Sequence, residues 1–416
     1  MVNSIIGSGI FGLPSLITRQ LGAAGPAAWV AAAVFSGIVM LCFAEVASRF
    51  TATGGPYLYA RVAFGRFTGI LMGWLTWLVR LASAAANANL FVIYLAEFWV
   101  QAQAPVSRII VLTALIGMLT VINYVGVDAG TQLSNVFTVA KLLPLVVFIV
   151  LGCVYLLGHH QSLHVGIANT GSGSWLDAML LMVFAYGGFE GALLPMGEAK
   201  DPRRDAPFAL VAALVTCAVI YTLVQLVVMG VLANSAGSDR PLATAAHVFM
   251  GDIGTSLITV GALLSVYGYL ASMTLNTPRL TFALAEQGDF PGIFAAVHRR
   301  FRTPYISIVV FAALLWALAF TRSFEWNVVL SAIARLFYYG IVCAALIVLR
   351  RRARGEARFH LPAGPVLAVA AITLCLVFLT AMQRSAFYVL AVVALVALLN
   401  WFWATRRAPD KSLPSM

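Results

Sequence analysis

"NSIIGSGIFGLP", residues 3–14, is the stretch on which the reading of this chain turns. Its centre, Gly7-x-Gly9-x-x-Gly12, has the spacing of a dinucleotide-binding fingerprint. That fingerprint carries meaning only after a strand, before a helix, and with an acidic residue about 20 positions further on. Here Met1–Ile6 is too short to judge as a strand, Pro14 interrupts the helix start, and the next acidic residue is Glu45. The run from Ala27 to Phe43 is apolar without one charge. The glycines must serve something else that needs pliable backbone beside a helix end.

Composition says what. The chain has 416 residues, 62% of them hydrophobic and only 10% charged, where soluble globular chains carry about 25% charged residues. Apolar runs near the length of a bilayer crossing, about 20 residues, recur along the whole sequence. They are continuous rather than alternating, which selects bundled helices over a closed barrel. The expected segments are 1–22, 27–47, 67–99, 107–126, 136–158, 175–197, 207–233, 253–286, 305–321, 327–349, 362–382 and 386–405. This is an all-α membrane protein of about twelve transmembrane helices. The first segment lacks a basic front and a small-residue cleavage site, so it reads as a span and not as a leader.

The formal charge of +11 suggests nucleic acid until its placement is considered. With the N-terminus in the cytoplasm, the inner loops hold Arg49, Arg61 and Arg66; Lys200, Arg203 and Arg204; Arg299, Arg300 and Arg302; Arg350, Arg351, Arg352, Arg354 and Arg358; and Arg406, Arg407 and Lys411. The outer loops hold only Arg19, Arg108, Arg240, Arg322 and Arg384. That asymmetry is the positive-inside rule. Both termini are expected in the cytoplasm of a multi-pass membrane protein, with no nucleic-acid partner. Cys42, Cys153, Cys217, Cys343 and Cys375 all fall within apolar segments without a CxxC pair, and read as packing residues. His159, His160 and His164 read as solvated loop residues, and no histidine cluster has ligand or triad spacing. No metal or cofactor is expected.

Segments 1–5 and 6–10 share a pattern. The second of each set is followed by a loop of nearly 20 residues, 48–66 and 234–252, and the third of each is the longest. The first of each is interrupted, by Gly7-Ser8-Gly9 in one and by "AYGGFEG" (185–191) in the other. Five crossings is an odd number, so the second set enters from the opposite face, and paired broken helices mark a midplane binding site. The expected units are residues 1–158 and 175–352 as inverted repeats with discontinuous helices 1 and 6, two further helices in 361–405, and a cytoplasmic tail, 406–416. A break leaves N–H groups on one half-helix and C=O groups on the other without partners. Lipid forbids that, so the break faces a cavity. Free N–H groups at a positive helix end favour a carboxylate, and free C=O groups favour an ammonium or a cation. A zwitterion such as an amino acid suits both. The competing reading, close helix packing through glycine, does not account for a matched pair of breaks.

Together with "GGPYLYARVAFGRFTGILMGW" (54–74), "FAYGGFEGALLPMGEAKDPRRDAPFAL" (184–210) and "PRLTFALAEQGDFP" (278–291), the opening stretch makes the chain resemble the amino acid–polyamine–organocation superfamily, with the leucine-transporter-type fold. The resemblance implies a proton-coupled or exchanging amino acid permease of the inner (cytoplasmic) membrane. It implies that Ser8 and Gly9 take the substrate carboxylate, that the Ile5 carbonyl takes the α-amino group, and that carbonyls at Phe184 and Gly187 assist. Phe184 matches the family's aromatic gate, and Met273 a side-chain selectivity position. The chain departs from the family in having six residues before Gly7 where relatives have a tail and a fuller half-helix; closure of an inner gate and the Ile5 contact depend on that half-helix.

Arg80, Lys141, Arg279 and Arg335 are the cations that fall within apolar segments. Charge at the bilayer centre costs about 2.5–3.5 kcal/mol on insertion scales, which makes function the default reading. Lys141 matches the lysine that stands in for sodium in sodium-independent relatives; it titrates as the coupling proton, braces helix 1 carbonyls, or snorkels near the inner surface. Glu190, inside the second break, is either a proton carrier or a brace for backbone freed there. Arg80 either meets a substrate carboxylate or bridges to Glu190, the bridge being favoured. Arg335 is read as half of a gate pair. Arg279 and Glu286 are read as structural at the inner end of segment 8, and Glu45 as a brace for an inner loop. Asn87, Asn89 and Ser83 either bond substrate or join helices. Trp74, Trp77, Trp99, Trp401 and Trp403 are read as interfacial or lipid-facing.

A membrane-embedded enzyme should show HExxH or a Ser–His pair at membrane depth, and neither is present. A channel should offer a filter or charge rings, against which the paired breaks favour alternating access. The sequence thus predicts a secondary transporter for amino acids, with a proton as possible co-substrate. Polyamine or amine transport and sodium symport are the runners-up.

Overall fold

The computed structural model of the chain describes residues 2–50, 54–126, 131–159, 172–192, 202–352, 357 and 359–407. Every regular element among them is helical. The first expected span is two pieces, α1 (Val2–Ile5) and α2 (Ser8–Leu21), and α3 (Gly25–Ser48) comes after them. Next come α4 (Gly55–Phe64), α5 (Arg66–Leu95), α6 (Pro105–Val125) and α7 (Thr131–His159). The sixth expected span is again two pieces, α8 (Ser172–Tyr186) and α9 (Phe189–Ala192). The chain continues through α10 (Pro202–Val231), α11 (Pro241–Glu286), α12 (Tyr305–Thr321), α13 (Phe324–Arg351), α14 (Gly364–Leu379) and α15 (Arg384–Arg407).

Eight helical stretches among the described residues are long and apolar enough to cross a membrane. One of them, Ser8–Ser48, holds both α2 and α3, and Tyr305–Thr321 and Gly364–Leu379 are apolar but shorter. The bundle is organised around α5 and α13, whose middles are almost continuously buried, while α6 and α12 expose much of their apolar surface. Exposed valine and leucine of that kind need a lipid solvent, not water.

Local chemistry explains the ends. Proline sits in the first turn of α3, α4, α6, α11 and α14, where its missing N–H is one the helix would leave unpaired anyway. Ser323 caps α13 by accepting from the Trp326 N–H at 3.2 Å. Two of the expected loops contain helix. Residues 48–66 carry α4, and 234–252 carry the first turns of α11, which kinks at Gly251 (φ 61°, ψ −152°).

Arginines expected in inner loops are in fact ion-paired at one end of the bundle. Asp289 accepts from Arg61 at 2.5 Å, from Arg66 at 2.8 Å and from the Tyr57 hydroxyl, tying α4 and α5 to the segment after α11. Burial, then the Asp289 carboxylate, raises the pKa of that hydroxyl above the ordinary tyrosine range. Glu45 accepts from Arg49 at 3.0 Å, from Arg350 at 2.5 Å and from the Leu361 N–H at 3.0 Å, so its expected bracing role is what the contacts display. Arg19 at the end of α2 pairs with Glu325 at the start of α13, and Arg240 pairs with Glu97. Trp74 and Trp77 are half-buried, Trp74 stacking on Phe290 at 4.4 Å and Trp77 packing edge-on to Phe311. Lys200, Arg354, Arg358, Lys411, His160 and His164 lie outside the described residues, as do 408–416 of the expected tail.

Candidate functional site

The chain leaves the helix at Ile6–Gly7 and again at Gly187–Gly188, and the two breaks touch. Gly188 has φ +104°, a conformation that L side chains avoid, and the Ser4 carbonyl oxygen occupies the place where a Cβ would go. Past the breaks, α2 crosses α8 closely: a Cβ on Gly9 would stand 3.1 Å from the Ala185 Cα. Glycine is required at Gly188 by space and by backbone, while at Gly9 a side chain would fit only if its neighbours gave by a few tenths of an ångström.

Freed carbonyls at both breaks have named donors. Lys141 Nζ on α7 donates to Ile6 O at 2.6 Å. The Tyr221 hydroxyl on α10 donates to Ala185 O at 3.0 Å and lies 3.3 Å from Ile5 O, so one phenol spans both breaks. Arg335 on α13 reaches Phe184 O at 3.4 Å, and its guanidinium lies 5.7 Å from the Phe184 ring centre. Ile5 and Phe184 are therefore at the breaks as expected, but both carbonyls are engaged by protein.

The N–H side differs. The first turn of α2 has no side-chain cap, and the Ser8 hydroxyl beside it is buried with no hydrogen-bond partner among the described residues. The Asn87 Oδ1 is likewise without a partner there and lies 4.0 Å from where a Gly7 Cβ would be. Native proteins rarely leave such atoms unpaired. A positive helix end, an idle hydroxyl and an idle amide oxygen thus share one place.

Glu190, in α9, accepts from Arg335 Nε at 2.9 Å and from the Gly188 N–H at 2.8 Å. The expected bridge from Arg80 to Glu190 is overturned: α13 brings Arg335 onto the carboxylate, and the space a Gly187 Cβ would fill is taken by that guanidinium. Arg80, at the middle of α5, makes no hydrogen bond or ion pair among the described residues; Tyr338, Glu190 and Tyr269 are the groups that act on it electrostatically. Ser83 pairs with Ser331 at 2.7 Å and Asn89 donates to Arg322 O at 2.9 Å, both joining helices. Met273 is half-buried one turn from Tyr269, on the same face of α11, and Arg279 is exposed.

Sequence reasoning missed the aromatic and amide residues that hold the breaks. Besides Tyr221, Tyr269 stands 3.5 Å from a Gly7 Cβ position. Trp29 donates to Gln225 at 3.0 Å, Gln225 donates to Thr18 Oγ1 at 2.8 Å and to Pro14 O at 3.2 Å, and Tyr186 donates to Trp29 O at 3.0 Å. The signal available was a glutamine and a tyrosine inside the apolar run 207–233, where every polar group needs a partner.

Two helix breaks in contact, with a buried lysine donating to a carbonyl of the first, are the distinguishing feature of this helical bundle. A family profile described as "Amino acid permease" matches residues 1–405, and the chain belongs to that family, within the amino acid–polyamine–organocation superfamily. It is 29% identical to the serine/threonine exchanger SteT of Bacillus subtilis (strain 168), over 89% of this chain and 86% of that one. It is 26% identical to the methylthioribose transporter of the same organism, over 98% and 91%. It is 25% identical to the branched-chain amino acid permease BcaP of the same organism, over 90% and 84%.

Proposed function

We propose that this chain is a secondary transporter that moves amino acids across the cytoplasmic membrane by alternating access, exchanging or proton-coupled and independent of sodium. The observation that carries the reading is the meeting of two helix breaks with the Lys141 ammonium on the Ile6 carbonyl. A cation fixed there leaves a sodium ion nothing to do. Ser8 and Gly9 offer the donors for a substrate carboxylate, while Ile5, Phe184 and Gly187 line the carbonyl side and Met273 the pocket wall.

Twelve spans arranged as inverted repeats, 1–158 and 175–352, with 361–405 after them, fit the placement of α4 and of the kinked start of α11. Each is a short helix after the second span of its set. Both termini then lie in the cytoplasm, with the Asp289 and Glu45 clusters on the inner face. Relatives named as exchangers and permeases of amino acids favour the same substrate class.

The test is reconstitution of the full chain in proteoliposomes with labelled L-amino acids. Saturable uptake is expected, accelerated by internal amino acid or an inward proton gradient, and unchanged when choline replaces sodium. Failure of every amino acid, or an absolute need for sodium, overturns the reading.

A further inference from the structure

The charges of the bundle centre do not balance. Lys141 and Arg335 bond carbonyls at the breaks and Arg80 is buried on the neighbouring α5, while among the described residues the carboxylate there is Glu190 alone. Each Glu190 oxygen accepts one bond, from Arg335 and from the Gly188 N–H, and neither bonds Arg80 directly. Lys141 is engaged on Ile6 O. Arg80 is left, 8% exposed and without hydrogen bond or ion pair among the described residues. A buried arginine cannot shed its proton to escape this cost. Keeping one mid-helix without a directly bonded anion among the described residues is unfavourable unless an anion arrives.

The position fits a ligand. Arg80, Ser83 and Asn87 lie on one face of α5 at helical spacing. Asn87 is where α5 passes the Gly7 break, and Arg80 is seven residues away, about 10 Å along the axis at 1.5 Å per residue. An amino acid seated by its α-carboxylate at the uncapped start of α2 would extend its side chain along this face. The unpaired guanidinium would stand at the far end.

We infer that the carried substrate is an amino acid with an anionic side chain, its second carboxylate recognised by Arg80. This rests on the transporter reading. Arginine's planar fork takes a carboxylate through two parallel hydrogen bonds, and the pairing supplies the negative charge the centre lacks. A neutral amino acid would leave Arg80 buried and unmatched, so discrimination comes from the desolvated cation itself.

The experiment is counterflow into proteoliposomes of the full chain, comparing labelled L-glutamate, L-aspartate, L-glutamine, L-serine and L-leucine. Glutamate or aspartate is expected to exchange with at least tenfold higher kcat/KM than glutamine. Arg80→Gln should collapse that ratio at least tenfold, whereas Arg80→Lys, which keeps the charge, should retain part of it; size-exclusion profiles and thermal unfolding establish that each variant is folded. Transport of serine or leucine without competition by glutamate or aspartate overturns the inference and leaves the transporter reading standing. An unchanged ratio in folded Arg80→Gln overturns the role of Arg80. Movement of no amino acid sinks both.

Discussion

Arg335 Nε donates to Glu190 Oε1 at 2.9 Å, joining the middle of α13 to the break between α8 and α9 with both side chains nine-tenths buried or more. Removing one member of such a pair leaves a lone charge and costs about 3–5 kcal/mol. Arg335→Leu should therefore lower the unfolding temperature in detergent, and the double variant Arg335→Leu/Glu190→Gln should lose less than the sum of the two singles. Because both Glu190 oxygens are engaged, Glu190→Gln should keep the pH profile of uptake. A flattened profile would make Glu190 the proton carrier.

Lys141 supplies a positive charge at the first break through one short bond to Ile6 O. Lys141→Ala should abolish uphill uptake, since neither the charge nor the donor is replaced. Uptake against a gradient is the measurement, and persistence of concentrative transport in this variant would reduce Lys141 to a packing residue.

Gly188→Ala tests the contact between the breaks. A side chain there meets both a left-handed backbone, a strain of about 1–3 kcal/mol, and the Ser4 carbonyl. Transport should be lost together with thermal stability, while Gly191→Ala, whose Cβ meets nothing within 4 Å, should leave stability nearly unchanged.

Asp289 gathers Tyr57, Arg61 and Arg66 in a buried site. Asp289→Asn removes the buried counter-charge that Arg61 and Arg66 share and should cost about 3–5 kcal/mol. Faster proteolysis within 50–66 than in the parent protein is the expected result, because α4 loses its tether to the segment after α11. Equal cleavage rates would show that apolar packing alone holds α4.

The helices themselves were legible because a bilayer allows few solutions: a long apolar run must be a helix, and Gly7-Ser8-Gly9 cannot continue one undisturbed. Lys141 was legible for the same reason, as a charge too costly to be idle. The partner of Glu190 was not, because Arg80 and Arg335 are both mid-helix arginines and sequence spacing does not say which helix faces the break. Asp289 was hidden likewise, a motif letter until three chain-distant donors met it. Tyr221 and Gln225 gave no periodic signal, since one hydroxyl or amide in an apolar run reads the same whether it holds a carbonyl or merely packs.

Trp29, Gln225, Tyr186 and Tyr221 form a single knot of bonds that ties together α2, α3, α8 and α10. A knot with every end fastened resists internal shear, so these four rods should swing as one block. In the transport cycle proposed above, motion is then expected at the seam toward α13, which the Arg335–Glu190 ion pair bridges.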